Sequence, residues 1–149
     1  MNVVLIEPEI HFNTGNIGRT CVGTSSTLHL VGKLGFSLAA PQIRRSGLDY
    51  WPKLKLRLYN SFSDFLDGLP NSARLFFFSA EGEKTIWNAQ FTSDAYLIFG
   101  KESAGLPAAI REKYKDSLYR VPIAPDIRSL NLGTTAGIVL YEALRQTSV

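Results

Sequence analysis

At 149 residues with 45% hydrophobic content, the chain can bury one sizeable core and is too short for two domains with separate cores. Its 19% of charged residues and 11% of aromatic residues exclude a disordered chain, and the formal charge of +3 permits a polyanionic partner without requiring one. Cys21 is the sole cysteine, so an intrachain disulfide is excluded, and without a Cys/His cluster we expect no metal site.

The amino terminus lacks the pattern of a targeting segment. Its short apolar run ends at Glu7 and has no basic residue before it. No apolar run in the chain approaches membrane-spanning length. We therefore expect a soluble, cytoplasmic protein that folds as one domain over residues 1–149.

Short apolar runs flanked by Gly, Pro and Ser recur along the chain and predict buried strands. In chain order they cover residues 3–6, 28–31, 54–59, 75–78, 96–99 and 118–121. Because helical or turn-rich segments separate these runs, we expect an α/β fold with a mostly parallel sheet and helices on both faces.

Helix signals occupy several of the intervening segments. Ser61 followed by Asp64 resembles a capping box and predicts a helix with an apolar face over the next residues. Pro107 precedes a predicted helix at residues 108–114, and a dense apolar pattern predicts a well-buried helix at residues 134–146. Residues 82–93 show no periodicity, so we expect irregular structure there.

Three connections beyond the predicted strands have unusual composition: residues 13–19, 99–107 and 121–132. Ligands of open α/β sheets bind beyond the carboxyl ends of the strands, which makes these loops candidate sites. Gly100 and Gly105 permit close approach to a ligand, although the loop lacks the P-loop pattern and no G-x-G-x-x-G follows the first strand. Taken singly, these glycines are typical of turns, Asn13 of a turn or helix cap, and Arg19 of a solvated helix surface.

In this order the three segments resemble the motifs of the SPOUT superfamily of RNA methyltransferases, in its SpoU branch. Residues 13–19 resemble motif one, residues 99–107 motif two, and residues 129–132 with 141–143 motif three. A finer resemblance to the tRNA (cytidine(34)-2'-O)-methyltransferase family includes residues 7–10, 44–50 and 125–126, and it extends over nearly the whole chain.

The resemblance implies an α/β fold with a deep trefoil knot near the C-terminus, a rare exception to ordinary topology. It also implies a bent S-adenosylmethionine held by main-chain groups of the knot loops. The matching cofactor-binding positions are Phe78, Gly100, Val121, Ile123, Ser129 and Leu130. The apolar members of this set are equally compatible with ordinary strand ends.

For catalysis, the resemblance places Arg19 near the target ribose. Because a guanidinium stays protonated near neutral pH, we expect Arg19 to hold a phosphate and polarise the hydroxyl, without acting as a base. Glu102 and Asn131 match polar motif positions that order Arg19 or the loop, the alternative being loop architecture alone. Lys101 and Ser103 receive no definite role.

The expected substrate is tRNA, at the wobble pyrimidine of leucine tRNAs, and the expected assembly is a homodimer. Candidate phosphate contacts are Arg44, Arg45 and Arg128, together with Lys53, Lys55 and Arg57, each of which has the alternative of a solvated charge. His11 is expected in a loop, Trp51 and Trp87 in packing, and Cys21 in the core. Two other functions remain open: a noncatalytic RNA-binding module that keeps the fold, and a flavodoxin-like nucleotide-binding enzyme.

Overall fold

The computed structural model describes residues 1–39, 41 and 49–148. Within them, seven strands form one parallel sheet in the order β3-β2-β1-β6-β4-β7-β5. The strands are β1 (Asn2–Ile6), β2 (Thr27–Val31), β3 (Lys55–Tyr59), β4 (Leu75–Phe78), β5 (Lys84–Thr85), β6 (Tyr96–Phe99) and β7 (Leu118–Arg120). The helices are α1 (His11–Gly23), α2 (Phe62–Asp67), α3 (Ala108–Lys113) and α4 (Leu132–Thr147).

The central strands β1, β4 and β6 carry apolar side chains on both faces because helices cover both sides of the sheet there. In β1, Val3 and Leu5 face the core beneath α1 and α4, which also contains Ile17 and Val139. The alternate residues of β1 face a second core that holds Phe65 of α2. The parallel α/β architecture expected from the apolar runs is confirmed.

The predicted helices are present, with shifted ends. Ser61 caps α2 by accepting a hydrogen bond from the Asp64 N–H at 3.0 Å, and α3 follows Pro107. Helix α4 begins earlier than predicted, and it is buried along one face while Tyr141 on another face is 60% exposed. The prediction of a well-buried C-terminal helix therefore holds for one face.

Several local predictions were wrong. Residues 82–93 are not irregular throughout, because they contain β5 and a 3-10 turn at Ile86–Asn88. The motif-one segment is not a loop, since residues 13–19 lie within α1 and His11 is the first residue of that helix. Trp87 is 59% exposed and is not a packing group. Cys21 is buried in the core, as predicted.

The strand order creates a crevice at the centre of the sheet. From β1 the chain continues to β2 and β3 on one side, whereas β6 and β4 lie on the other. Connections beyond β1 and β6 therefore diverge, and this is where ligands bind in open α/β sheets. Among the described residues, no helix combines the length and apolar character needed to cross a membrane.

Candidate functional site

A cavity of about 490 Å³ opens beyond the carboxyl ends of the central strands. Its walls come from the connections after β4, β6 and β7 and from the beginnings of α1 and α4. This volume lies within the roughly 300–1,000 Å³ typical of small-molecule sites. The cavity thus occupies the position that the sheet topology predicts for a ligand.

The structure brings together every residue predicted to bind the cofactor. They come from three segments well separated in sequence, and Phe78 is 5% exposed at the end of β4. The residues of this set that line the cavity are Phe78, Gly100, Val121, Ile123, Ser129 and Leu130. The cavity therefore offers apolar side chains together with the main chain of a glycine-containing loop.

Gly100 and Gly105 fix the shape of the loop after β6. A Cβ on Gly100 would collide with the backbone of Gly105 and Leu106. Gly105 has a φ of +67°, which L side chains rarely adopt, and its N–H donates to the Lys101 carbonyl at 2.8 Å. The loop can fold back on itself so tightly because both positions are glycine.

Glu102 connects this loop to the start of α1. Its Oε2 accepts a hydrogen bond from the Glu9 N–H at 2.7 Å, and its Oε1 accepts from the Ile10 N–H at 3.1 Å. Oε1 also accepts from Nδ2 of Asn13 at 3.1 Å. The carboxylate therefore contacts α1 and the residues just before it, and no hydrogen bond joins it to Arg19 in the described residues.

Asn131 connects the same network to α4. Its Oδ1 caps the helix by accepting from the Thr134 N–H at 3.2 Å, and its Nδ2 donates to Oδ1 of Asn13 at 2.9 Å. Asn13 is 6% exposed and joins Glu102 to Asn131. The hydrogen bonds of Glu102 and Asn131 join the loops to one another and do not reach Arg19 among the described residues.

Asn13 and Ser103 line the cavity and Glu9 binds Ser103, although the sequence predicted no role in the site for any of the three. Ser103 donates to the Glu9 carboxylate through its Oγ and through its backbone N–H, both at 2.9 Å. These hydrogen bonds lower the pKa of the Glu9 carboxyl below its ordinary value. For Asn13, its position as the first residue of motif one was the sequence feature that could have indicated its role in joining Glu102 to Asn131.

Arg19 does not line the cavity formed by the described residues. It is exposed on α1, with its guanidinium carbon 5.8 Å from the centre of the Tyr50 ring. Tyr50 is buried and donates from its hydroxyl to the Gly15 carbonyl of the same helix. Arg19 is thus separated from the residues predicted to hold the cofactor in the same chain.

The predicted RNA contacts are spread over the molecule. Arg128 is exposed and lines the cavity, next to Ser129. Lys55 and Arg57 are exposed on β3, the outermost strand on one side of the sheet, and Lys53 is exposed just before it. Arg44 and Arg45 lie outside the described residues.

Glu142, within motif three, has a local role in α4. Its carboxylate accepts two hydrogen bonds from Arg145, at 2.8 and 2.9 Å, and one from Gln146 at 2.8 Å. The Arg145 and Gln146 contacts lower the pKa of Glu142 to about 2. Among the described residues, no group of three or more His, Cys, Asp or Glu side chains is placed to hold a metal ion.

The family model described as the SpoU rRNA methylase family matches residues 1–141. The chain belongs to this family. A tRNA (cytidine(34)-2'-O)-methyltransferase of Burkholderia cenocepacia is 41% identical to it, over 97% of this chain and 94% of the relative. The SpoU membership predicted from the three motifs is confirmed.

Solved structures agree with this assignment. One, concerned with 2-OH methylation of C/U34 on tRNA, has a TM-score of 0.94 and 45% identity, covering 97% of this chain and 94% of the other. The SpoU methyltransferase AviRb of Streptomyces viridochromogenes, in complex with AdoMet, has a TM-score of 0.86 and 26% identity, covering 98% of this chain and 60% of its own. The chain therefore shares its α/β fold with solved members of the family.

Proposed function

We propose that this SpoU methylase transfers a methyl group from S-adenosylmethionine to the ribose 2'-hydroxyl of the pyrimidine at position 34 of leucine tRNAs. The observation that carries the proposal is the convergence of all six motif-derived cofactor residues on one cavity at the centre of the sheet. The names of relatives about 40% identical over nearly the full chain support tRNA and position 34.

The cavity fits an adenine nucleoside that carries a sulfonium. Phe78, Val121, Ile123 and Leu130 supply apolar surface for the purine. Because Gly100 has no side chain, its loop can fold back on itself. The main chain of this loop lines the cavity and can form hydrogen bonds with the purine edge. When bound, S-adenosylmethionine supplies an electrophilic methyl group.

The role of the chain is to align the ribose hydroxyl with that methyl group, since holding two reactants in line removes much of the barrier. Arg19 holds a substrate phosphate and polarises the hydroxyl while its guanidinium stays protonated. Glu102 and Asn131 position the loops through Asn13. Arg128 contacts an RNA phosphate at the rim of the cavity.

Because Arg19 lies away from the cavity of its own chain, we propose that the protein acts as a homodimer in which Arg19 of one copy serves the cavity of the other. Exposed apolar side chains on α1 and α4 support such a contact: Phe12 is 58% exposed and Tyr141 60% exposed. A trefoil knot near the C-terminus, implied by the family resemblance, and a cytoplasmic location, consistent with a tRNA substrate, complete the proposal.

The test is methylation of unfractionated tRNA with labelled S-adenosylmethionine, followed by mapping of the modified ribose. We expect label at position 34 of leucine tRNAs. Binding of S-adenosylhomocysteine without methyl transfer to any tRNA would favour the noncatalytic RNA-binding module. Preference for a flavin would favour the flavodoxin-like alternative.

The role of Arg19 is tested by Arg19→Ala, with Arg74→Ala as a matched control. Arg74 is exposed just before β4, and its side chain makes no hydrogen bond or ion pair within the described part of the chain. Arg19→Ala should lower turnover at least roughly tenfold, which corresponds to about 1.4 kcal/mol of transition-state stabilisation, and leave S-adenosylhomocysteine affinity unchanged. Full activity of this variant would remove Arg19 from the mechanism.

A further inference from the structure

We infer that Glu9 is a positioning residue that holds the tip of the cofactor loop, residues 100–105, in its binding conformation. The inference rests on the proposed function, because it concerns the cofactor side of the same site. Glu9 acts through Ser103, and its predicted effect is on cofactor affinity.

The loop and the segment before α1 are joined by two carboxylates, one from each segment, and each carboxylate accepts hydrogen bonds from the other segment. Glu102 of the loop accepts the backbone N–H groups of Glu9 and Ile10. Glu9 in return accepts the N–H and the hydroxyl of Ser103, using a different oxygen for each. We call these three side chains, Glu9, Glu102 and Ser103, the carboxylate clasp. Because the contacts are reciprocal, they fix both the separation and the register of the two segments.

Apolar packing does not hold the tip of the loop. Ser103 and Ala104 are exposed, whereas Leu106 beyond the loop is 1% exposed and anchors its far end. Lys101 lies 3.8 Å from Glu7, but both side chains are partly exposed, and such ion pairs contribute little. The hydrogen bond from the Gly105 N–H to the Lys101 carbonyl closes the loop itself, whereas the placement of Ser103 against the segment before α1 depends on the clasp.

The backbone at Glu9 is held in place by its contacts with Gly35. The Gly35 N–H donates to the Pro8 carbonyl at 2.9 Å, and a Cβ on Gly35 would lie 2.7 Å from Cα of Glu9. This close packing fixes the backbone at Glu9. Contacts to an ionised carboxylate are also stronger than those between neutral groups. Glu9 can thus impose its position on Ser103.

Loss of the Glu9 carboxylate releases Ser103, and the cofactor must then order this part of the loop on binding. A net hydrogen bond at a partly exposed site corresponds to roughly a three- to tenfold change in an equilibrium constant. We therefore expect Glu9→Ala to raise the dissociation constant of S-adenosylhomocysteine by that factor.

The experiment is calorimetric titration of the full chain with S-adenosylhomocysteine. Glu9→Gln keeps an acceptor for the Ser103 N–H and should bind more tightly than Glu9→Ala. Ser103→Ala should weaken binding less than Glu9→Ala, and the double variant should bind no worse than Glu9→Ala alone. The double-variant comparison separates action through Ser103 from a general loss of structure.

Glu112→Ala is the matched control. Glu112 is exposed on α3, and its carboxylate makes no hydrogen bond or ion pair among residues 1–39, 41 and 49–148. This variant should bind S-adenosylhomocysteine like the wild type. If Glu9→Ala fails to fold, Ser103→Ala alone tests the inference, because it removes one exposed hydroxyl.

The same titrations distinguish failure of this inference from failure of the proposed function. Wild-type affinity of both Glu9→Ala and Ser103→Ala would overturn the inference and leave the proposed function intact. Equal weakening by Glu9→Ala and Glu112→Ala would also overturn it. A wild-type protein that does not bind S-adenosylhomocysteine would overturn the proposed function and the inference together.

Discussion

Gly100→Ala gives the sharpest test of the cavity, because it adds a single methyl group where the backbone leaves no space. The atoms in its way belong to the main chain of Gly105 and Leu106, which cannot rotate aside as a side chain could. The loop must therefore shift, and Gly100 itself lines the cavity. We expect cofactor affinity to fall together with stability.

The expected magnitude follows from the cost of overpacking. Extra methyl groups in tightly packed sites typically cost about 1–3 kcal/mol. For a chain of this size we expect the melting temperature to fall by roughly 3–10 °C. The dissociation constant of S-adenosylhomocysteine should rise at least about tenfold, equivalent to 1.4 kcal/mol. Thermal unfolding and calorimetric titration measure the two effects.

Gly23→Ala is the matched control, because Gly23 ends α1 and a Cβ there would meet no atom within 4 Å. It should leave cofactor affinity unchanged and alter stability by no more than about 1 kcal/mol, in the stabilising direction. Wild-type melting temperature and wild-type affinity in Gly100→Ala would refute the tight loop and the place of Gly100 in the site.

Three further predictions concern buried polar groups. Asn13→Ala leaves Glu102 and Asn131 each without one partner, so urea unfolding should show a loss of about 1–3 kcal/mol; a loss below 0.5 would contradict the network. Burial lowers the pKa of His29 from 6.5 to about 4, so stability present above pH 6.5 is lost as the pH falls toward 4. The loss should be about 1–2 kcal/mol between pH 7 and pH 5, and His29→Gln should lack it; equal pH dependence in both proteins would refute this origin. Burial raises the pKa of the Cys21 thiol to about 12, so a disulfide reagent at pH 8 should modify it only after unfolding.

The central strands could be predicted from the sequence because they are buried on both faces and are therefore continuously apolar. β5 could not be predicted, since two residues, Lys84 and Thr85, are too few to show a period. The start of α1 could not be predicted from the sequence for a different reason. Its N-cap residue is Ile10, which has no capping side chain, and its first buried residues include Asn13 and Thr14. Polar residues on the buried face of a helix obscure the apolar pattern.

For the site, the residues that the motifs predict for cofactor binding line one cavity because strand ends in a parallel sheet meet at one edge. The motifs did not locate Arg19 away from that wall, since spacing along a helix does not tell which neighbour the helix faces. The hydrogen bonds between Glu9 and Ser103 also could not be predicted from the sequence, because the two residues are 94 positions apart and neither belongs to a periodic pattern. Contacts of this kind depend on tertiary structure.

The arrangement of charge at the site bears on how such an enzyme works. The carboxylates of Glu9 and Glu102 are occupied by hydrogen bonds that join loops, and Asn13 and Asn131 are occupied in the same way. These side chains therefore contribute to catalysis by holding the geometry of the site more than by transferring protons. A sulfonium methyl group is already activated, so the remaining barrier depends on bringing the hydroxyl into line with it. A network that fixes the loops around the cofactor is therefore itself a source of rate, and loosening it at Glu9 or Asn13 should impair alignment through the loops that these side chains hold.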